Sequence, residues 1–251
     1  MSNYISLSAS CRVYPIRGYH GLFHLLYDAS RREAVLLDTG LAGEIPQLQN
    51  VLRELGLGWP DIKAILLTHG HLDHTGNLAR LTELTGAPVL AHAAEQAHID
   101  GTFPYTGSSR LCGLMEAAGR RFFRYRTVAI DQALVPGDEL PYWGGLRVIH
   151  LPGHTEGHCG FYSERLNLLF SGDLFASYWF STHLPPFFLN SCPDKFEASL
   201  RQVTSLAPRY IIPNHYSGLD GELHRKKFDR LAKRQRIGCT SQSLQGKMRL
   251  S

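Results

Sequence analysis

The residues best suited to chemistry lie in one short stretch, residues 68–76, with the sequence Thr-His-Gly-His-Leu-Asp-His-Thr-Gly. Four of its side chains are potential metal ligands: His69, His71, Asp73 and His74. Histidines two positions apart in an extended loop can converge on one cation, and the adjacent Asp-His pair can face a second cation nearby. The spacing therefore predicts two metal ions rather than one. A polar loop in which histidines occur by chance is the alternative.

Four predicted strands end at potential ligands. The apolar run at 64–67 predicts a buried strand that stops where the stretch at 68–76 begins. Three later apolar runs end in the same way and deliver His154, Asp173 and His215. A single histidine after a strand is usually an ordinary loop residue, but four such strand ends make a coherent ligand set.

Two further residues are predicted to support the ligands. Asp38 follows another apolar run and either hydrogen-bonds a ligand or only forms a turn, since Asp is favoured in turns on local grounds. His158, four residues after His154, is predicted to contact a ligand rather than a metal. The other histidines show no comparable arrangement and are predicted to be structural or surface residues. These are His20, His24, His92, His98, His150, His183 and His224.

The composition is that of a globular protein. The 251 residues are 43% hydrophobic and 19% charged, and no apolar run approaches the ~20 residues of a membrane helix. The N-terminus lacks the basic start and apolar segment of a secretory signal, so we expect a cytoplasmic location. Five cysteines without a CxxC spacing predict reduced thiols rather than a disulfide framework or a zinc finger. A net charge of +4 is mild and indicates little about nucleic acid.

The order of predicted elements indicates α/β packing. A β-meander comes first, strands and helices then alternate, and a second β-rich half begins near residue 128. We predict helices over residues 44–55, 77–84, 93–99, 111–118, 194–206 and 222–236. A single domain over residues 1–237 is expected, with a flexible tail over 238–251, because the tail lacks periodicity.

The combined motifs resemble the metallo-β-lactamase superfamily. They occur in that family's order: Leu-Asp-Thr-Gly at 37–40, the stretch at 68–76, Pro-Gly-His-Thr at 152–155, Gly-Asp at 172–173 and Asn-His at 214–215. The resemblance implies an α/β fold, an αββα sandwich of two mixed β-sheets with outer helices and the metals at one edge. It also implies a ligand set: His69, His71 and His154 for the first metal, Asp73, His74 and His215 for the second, and Asp173 bridging the two.

Five imidazoles and two carboxylates suit two divalent ions. Zn²⁺ fits this set, and Fe or Mn fits it too, because ligand type discriminates poorly among them. Two cations about 3.5 to 4 Å apart can hold a shared hydroxide that attacks the substrate at neutral pH. In this hypothesis Asp73 and Asp173 are the catalytic residues, Asp73 orienting the hydroxide and Asp173 holding the bridge. The non-catalytic alternative is a protein whose metals only stabilise the fold. Structural zinc sites, however, normally have four Cys or His ligands and no open coordination position.

Departures from individual branches of the superfamily narrow the expected reaction. Asp173 resembles the hydrolase branches, whereas zinc β-lactamases generally place Cys or Ser there. Glyoxalase II is similar in all seven ligands, but its glutathione-binding helical domain follows the last histidine, where only residues 216–251 remain. Persulfide dioxygenases usually replace the histidine at 158 by Cys. Quorum-quenching lactonases are similar in ligand set, but the tyrosine they carry three residues past the bridging Asp is Ala176 here, with Tyr178 a candidate substitute.

The aromatic run at 175–188 predicts an apolar pocket wall next to Asp173. Its candidate members are Phe175, Tyr178, Trp179 and Phe187; a loop packed over the sheet edge is the alternative. Residues 101–126 break the α/β alternation and predict an insertion that either packs on its own aromatics or acts as a lid. The basic helix at 222–236 is typical of a solvated helix face.

We therefore expect hydrolysis of an acyl bond, in a lactone, ester or thioester, of a small and partly apolar substrate. A phosphodiesterase or nuclease of the same superfamily is the alternative, supported by the basic runs at 120–126 and 225–236. A β-lactamase or a persulfide dioxygenase fits the motifs less well. Nucleic acid is disfavoured as a partner, since no separate basic domain is present in the sequence, and the oligomeric state stays open.

Overall fold

The computed structural model describes residues 4–6, 8, 10–18, 21–41 and 43–235. The predicted tail at 238–251 and His20 lie outside the described residues. Within the described residues, no helix combines the length and the apolar character needed to cross a bilayer. Four cysteines are described, Cys11, Cys112, Cys159 and Cys192, and all four are free thiols.

The first sheet has seven strands in chain order, β1 to β7. Its first four strands pair antiparallel through short turns, and β4 to β7 pair in parallel because helices cross over between them. The strands are β1 (Ile5–Ser6), β2 (Cys11–Arg17), β3 (Leu22–Asp28), β4 (Glu33–Leu37), β5 (Ile62–Leu66), β6 (Val89–His92) and β7 (Gln132–Leu134). The helices of this half are α1 (Ile45–Leu55), α2 (Leu72–Thr75), α3 (Leu78–Thr85), α4 (Gln96–Asp100) and α5 (Arg110–Phe122).

The second sheet has the order β14-β11-β10-β9-β8. Its strands are β8 (Glu139–Leu140), β9 (Leu146–His150), β10 (Cys159–Ser163), β11 (Leu168–Gly172) and β14 (Tyr210–Pro213). A separate hairpin is formed by β12 (Ala176–Ser177) and β13 (Thr182–His183), and the helices are α6 (Phe196–Leu206) and α7 (Gly221–Arg234). Strands β11 and β14 are parallel and are joined through α6, whereas the other pairs are antiparallel.

Three apolar clusters hold four layers together. The inner faces of the two sheets meet in one cluster, to which Leu37 and Leu66 of the first sheet and Phe161 and Phe170 of the second contribute. The outer face of the first sheet buries the apolar stripes of α1 and α3. The outer face of the second sheet buries those of α6 and α7. Burial of apolar faces between layers is the main favourable term in such an arrangement, and the predicted αββα sandwich is confirmed.

The structure differs from the sequence prediction in the connecting region. The predicted helix at 111–118 extends to Phe122, because Arg120 inside its last turns donates to the backbone oxygens of His98 and Ile99. The second β-rich half does not begin near Val128: β7 belongs to the first sheet, where it pairs with β6. The predicted helix at 93–99 is a 3₁₀ turn, Ala93–Glu95, followed by α4.

One edge of the sandwich collects the carboxyl ends of the strands that matter for the site. Strands β4 and β5 run in parallel in the first sheet. In the second sheet β9, β11 and β14 share one direction, because β9 and β11 are both antiparallel to β10 and β14 is parallel to β11. Polar residues that follow these strands therefore lie together at one edge.

Candidate metal centre

The predicted ligands of four strand ends lie close together. Their potential ligand atoms form three overlapping groups, and within each group these atoms are no more than 4.8 Å apart. The groups are His69, His71 and His154; His69, His74 and Asp173; and Asp73, His74 and His215. The first and third groups match the two sets expected from the sequence, and Asp173 lies between them. All seven predicted side chains are thus brought together.

The loop after β5 and the short helix α2 supply four of these side chains, and the loop backbone packs closely against α4. At Gly70 a Cβ atom would lie 2.6 Å from the Cβ of His98, so only glycine fits between the two histidines of the loop. After His71 the chain turns into the short helix α2, which places Asp73 and His74 on the next turn. The Leu72 N–H at the start of α2 donates to Glu116 Oε1 at 2.9 Å.

Asp173 occupies the centre of the cluster because the end of β11 is irregular. The register between β11 and β14 shifts at Gly172, whose φ of +52° is a left-handed conformation that glycine adopts without strain. The Asp173 carboxylate then lies 3.1 Å from His215 Nε2, 3.5 Å from His74 Nε2 and 3.7 Å from His154 Nε2. One carboxylate therefore reaches imidazoles of both sets.

The outer nitrogen of several imidazoles has a hydrogen-bond partner that fixes the ring. His74 Nδ1 donates to Asp38 Oδ2 at 3.0 Å, and His154 Nδ1 donates to Asn190 Oδ1 at 2.9 Å. In both rings the Nε2 atom is left facing the cluster. Such outer partners fix the tautomer and orientation of metal-binding histidines and raise their basicity.

Asp38 and His158, the two residues considered as supports for the ligands, both contact residues of the cluster. Asp38 is fully buried, has a φ of +61°, and also accepts from the Thr68 N–H at 2.7 Å. Its strained backbone is thus held by the contacts that orient His74. His158 Nε2 accepts from the Asp173 N–H at 2.9 Å, and its Nδ1 donates to the Leu151 oxygen at 3.0 Å.

The buried carboxylates of the cluster require positive charge nearby, as the pKa shifts of its residues indicate. Burial lowers the pKa of His69 well below the usual histidine value, and neighbouring imidazoles lower it further. Burial also lowers the pKa of His215, but the Asp173 carboxylate outweighs it, so this pKa rises to about 10. The pKa of Asp173 is raised by burial, yet His215 and His74 hold it well below its usual range. Protons on these imidazoles therefore neutralise the carboxylates in the metal-free chain, a task that bound cations perform equally well.

Two buried atoms test whether the residues fit a metal. Among the described residues, His69 Nε2 and Asp173 Oδ1 have no hydrogen-bond partner, although both atoms are shielded from solvent. Buried polar atoms normally have a hydrogen-bond partner. An imidazole nitrogen that lacks one and faces carboxylates and other imidazoles is suited to bind a metal. The donor set therefore fits divalent metal ions.

Two residues that support the site were missed by the sequence reasoning. Glu95 is fully buried; its Oε2 accepts from the Gly70 N–H at 2.7 Å and its Oε1 from the Gly157 N–H at 2.8 Å, so it joins the two loops that carry the first ligand set. Burial raises the pKa of Glu95 to about 7. Asn190 orients His154, and its amide also donates to the Pro185 oxygen. Neither residue follows a periodic pattern or a motif, so no local signal pointed to it.

A cavity of about 480 Å³ opens onto the cluster. Its lining includes Asp73, Asp173 and His215 of the cluster, and the rest of the lining is mainly apolar, including Phe175 and Tyr178. Trp179 and Phe187 are not among the residues that line it. Trp179 lies in the tip of the β12–β13 hairpin, which turns it toward α7, and Phe187 is 71% exposed on the surface. Helix α5 contributes Cys112, Met115 and Glu116 to the opposite wall.

The remaining described histidines lie outside the three ligand groups. His24, His98 and His224 are buried; His24 Nε2 hydrogen-bonds the Tyr216 hydroxyl and His224 Nδ1 the Ser177 hydroxyl. His92 and His150 stack on each other with ring centroids 4.8 Å apart. His183 is exposed at one side of the cavity mouth.

Comparisons with known proteins agree with this geometry. The family model described as the metallo-β-lactamase superfamily matches residues 24–215. The chain is 25% identical to the probable metallo-hydrolase YflN of Bacillus subtilis, covering 87% of this chain and 91% of that protein. It is 36% identical to the hydroxyacylglutathione hydrolase of Pseudomonas savastanoi over 61% of this chain, and the match spans 47%, about half, of that relative.

Among solved structures, the metallo-β-lactamase family protein TTHA1429 from Thermus thermophilus superposes with a TM-score of 0.72 at 25% identity, covering 92% of this chain and 81% of that one. The fold, the ligand cluster at the sheet edge and the match to most of the chain lead to one conclusion: the chain belongs to the metallo-β-lactamase superfamily and is a metal-dependent hydrolase.

Proposed function

We propose that this chain is a dinuclear metal-dependent hydrolase that cleaves an acyl bond, in a lactone, ester or thioester, of a small neutral substrate with an apolar part. One observation carries the proposal. The cavity above Asp173 and His215 has mainly apolar walls, and its described lining contains no lysine or arginine. Its volume of about 480 Å³ is within the range of small-molecule sites.

The charge of the cavity supports a neutral substrate. Asp73, Asp173 and Glu116 all line it, and Glu116 is already paired with Arg120 at 3.0 Å; among the described residues that line the cavity there is no lysine or arginine to pair with an anionic group of the substrate. Bound cations would balance negative charge at the reacting bond itself, but a carboxylate on the part of the substrate that lies against the apolar wall would have no such partner. Burying a charge without a partner is costly, so a substrate that is uncharged where it contacts the wall is favoured.

Two residue sets would hold the metals. His69, His71 and His154 would bind one ion, Asp73, His74 and His215 the other, and Asp173 would be shared. Zn²⁺ suits these donors, and Fe and Mn suit them as well. When bound, such a pair of cations supplies a Lewis acid for the substrate oxygen and lowers the pKa of water enough to provide a nucleophile at neutral pH.

The chain's own residues perform the remaining tasks. Asp38, Asn190 and His158 hold the metal-binding side chains in place, so that little reorganisation is needed during the reaction. Tyr178 lines the cavity, and burial, together with the Asp173 and Asp73 carboxylates, raises the pKa of its phenol. The phenol therefore stays protonated at neutral pH. It can donate a hydrogen bond to the carbonyl or leaving oxygen of the substrate.

The hydroxyacylglutathione hydrolase relative supports a thioester or a related acyl bond as the target. The support is limited to the part of that relative that aligns with this chain, which is about half of its length. The apolar wall formed by Phe175, Pro185, Pro186 and Leu189 instead favours an acyl chain or ring over a charged peptide-like group.

A substrate panel on protein of known metal content tests the proposal. Neutral lactones, esters and thioesters with increasing alkyl length should show kcat/KM rising about fourfold for each methylene group that the wall buries. The same compounds with a carboxylate at the chain end should react more slowly. The proposal is overturned if phosphodiesters or β-lactams are cleaved with kcat/KM far above every acyl compound, or if chain length has no effect.

A further inference from the structure

A surface of aromatic and basic side chains lies beside the cavity mouth. We call it the hairpin surface; it consists of the tip of the β12–β13 hairpin, residues 178–181, and the adjacent face of α7. The two elements border a groove of about 520 Å³. Its described lining includes Trp179, Phe180, Lys227, Arg230, Lys233 and Arg234.

The aromatic side chains of the tip are exposed to solvent, and backbone hydrogen bonds fix the hairpin that carries them. Trp179 is 63% exposed and Phe180 is completely exposed. The hairpin beneath them is fixed, because the Ser177 N–H donates to the His215 oxygen at 2.8 Å and the Ser217 N–H donates to the Ser177 oxygen at 3.0 Å. Adjacent large apolar side chains that the fold itself keeps exposed mark a binding surface.

The basic side chains of α7 surround the tip. Lys227 donates to the Tyr178 oxygen and Arg234 to the Thr182 oxygen, so both cations are tied to the hairpin. Arg230 and Lys233 are exposed. The acidic residues of α7 are used elsewhere, and within the part of the chain that the structure describes none of these four cations forms an ion pair. Glu222 pairs with Arg209, and Asp229 pairs with Arg225.

The sequence that follows α7 is also basic. Residues 236–251 contain Arg236, Lys247 and Arg249 and no acidic residue. The hairpin surface is therefore an apolar tip within a field of uncompensated positive charge. Its complement has an apolar interior covered by a layer of negative charge.

We propose that the hairpin surface binds an anionic lipid bilayer. Trp179 and Phe180 would enter the headgroup region, where aromatic rings are favoured, and the four cations of α7 would contact lipid phosphates. A second copy of the chain is a poorer complement, because a two-fold contact through this surface would bring the cations of both copies together. Single-stranded RNA is poorer too, since bases stack along a groove lined with rings, whereas these two rings lie at the tip of one turn.

Binding in this orientation would bring the cavity mouth to the bilayer. Tyr178 and His183, on the same hairpin, line the cavity. A substrate with an apolar part could then reach the metal centre from the lipid phase. This last step rests on the proposed function, but lipid binding does not, and vesicle co-sedimentation measures binding alone.

Co-sedimentation of the full-length chain with lipid vesicles tests the proposal. Wild type should bind mixed phosphatidylcholine and phosphatidylglycerol vesicles, bind pure phosphatidylcholine much less, and dissociate at high salt. The double variant Arg230→Glu/Lys233→Glu should bind at least about 25-fold more weakly, since each basic residue near an anionic surface contributes about fivefold. Phe180→Ser should weaken binding about tenfold through lost apolar burial.

Matched control variants distinguish binding through this surface from non-specific adsorption to vesicles. Val135 is also exposed, but it lies in the turn between β7 and β8. Strand β8 is at the opposite end of the second sheet from β14, on which α7 packs. Lys63 is an exposed cation in the first sheet. Val135→Ser and Lys63→Glu should therefore bind vesicles as wild type does, and all variants should keep wild-type hydrolysis of a water-soluble substrate.

Two results overturn the proposal. One is wild-type protein that does not bind anionic vesicles. Another is equal loss of binding in the hairpin-surface variants and the controls. If vesicle binding is absent, salt-sensitive binding of an RNA oligonucleotide would assign the surface to RNA, and dimerisation that Phe180→Ser abolishes would assign it to a second copy of the chain.

Discussion

Replacing Glu95 with glutamine tests how the two loops of the first ligand set are joined. The Glu95 carboxylate accepts one N–H from Gly70 and one from Gly157, at 2.7 and 2.8 Å. Glutamine has nearly the same shape, but its NH₂ group cannot accept, so one of the two buried N–H groups loses its partner. An unsatisfied buried donor costs about 1–3 kcal/mol.

The cost of Glu95→Gln should depend on pH. Burial raises the pKa of Glu95 from 4.5 to about 7, a shift that corresponds to about 3 kcal/mol. Between these two values the folded chain keeps a proton that the unfolded chain has lost, so the wild-type free energy of unfolding falls as the pH rises through this window. Glutamine does not titrate. The destabilisation of the variant relative to wild type should therefore be largest near pH 4.5 and smaller by up to about 3 kcal/mol above pH 7.

Urea unfolding of metal-free protein at about pH 5 and about pH 8 measures this difference, because titration of the ligand imidazoles affects wild type and variant alike and cancels when the two are compared. Glu139→Gln, at an exposed position in β8, is the matched control and should change stability little at either pH. The reasoning is refuted if Glu95→Gln is equally destabilising at both values, or more destabilising at the higher one.

Three further predictions concern single contacts of the site. Asn190→Ala, which removes the acceptor of His154 Nδ1, should weaken metal binding about 10- to 100-fold in a chelator competition, and unchanged affinity would contradict the role given to this contact. Gly70→Ala places a Cβ 2.6 Å from that of His98 and should cost about 1–3 kcal/mol in thermal unfolding. Gly58→Ala is the control and should cost less, because Gly58 has a φ of −109° and its added Cβ would meet no atom closer than 3.5 Å. Tyr178→Phe should lower kcat at least about tenfold with metal content unchanged if the phenol donates to the substrate, and wild-type kcat would exclude that donation.

The strand ends and the layers could be predicted because both have local signals. Apolar runs that stop at His154, Asp173 and His215 indicate where each strand ends and which ligand comes next, and helices with one apolar stripe indicate that they cover a sheet. The carboxyl ends of strands with one direction meet at one edge, so the convergence of the ligands could be expected from the same pattern.

The supporting contacts could not be predicted because they join residues far apart in the chain. Glu95 bonds Gly157, and Asn190 bonds His154, through side-chain geometry that no periodicity encodes. The direction of Trp179 was missed for a similar reason. Aromatic composition predicts a buried wall, but the short hairpin turns this residue toward α7 and away from the cavity.

Metal analysis of the purified chain, saturated with zinc and freed of excess ion, tests the central claim of a two-metal centre most directly. We expect two metal ions per wild-type chain, and about one in His215→Ala, which loses a donor of the second set but none of the first. His150→Ala, a histidine outside the three ligand groups, should keep two. One ion or fewer in the saturated wild type, or two in His215→Ala with unchanged affinity, would contradict the claim.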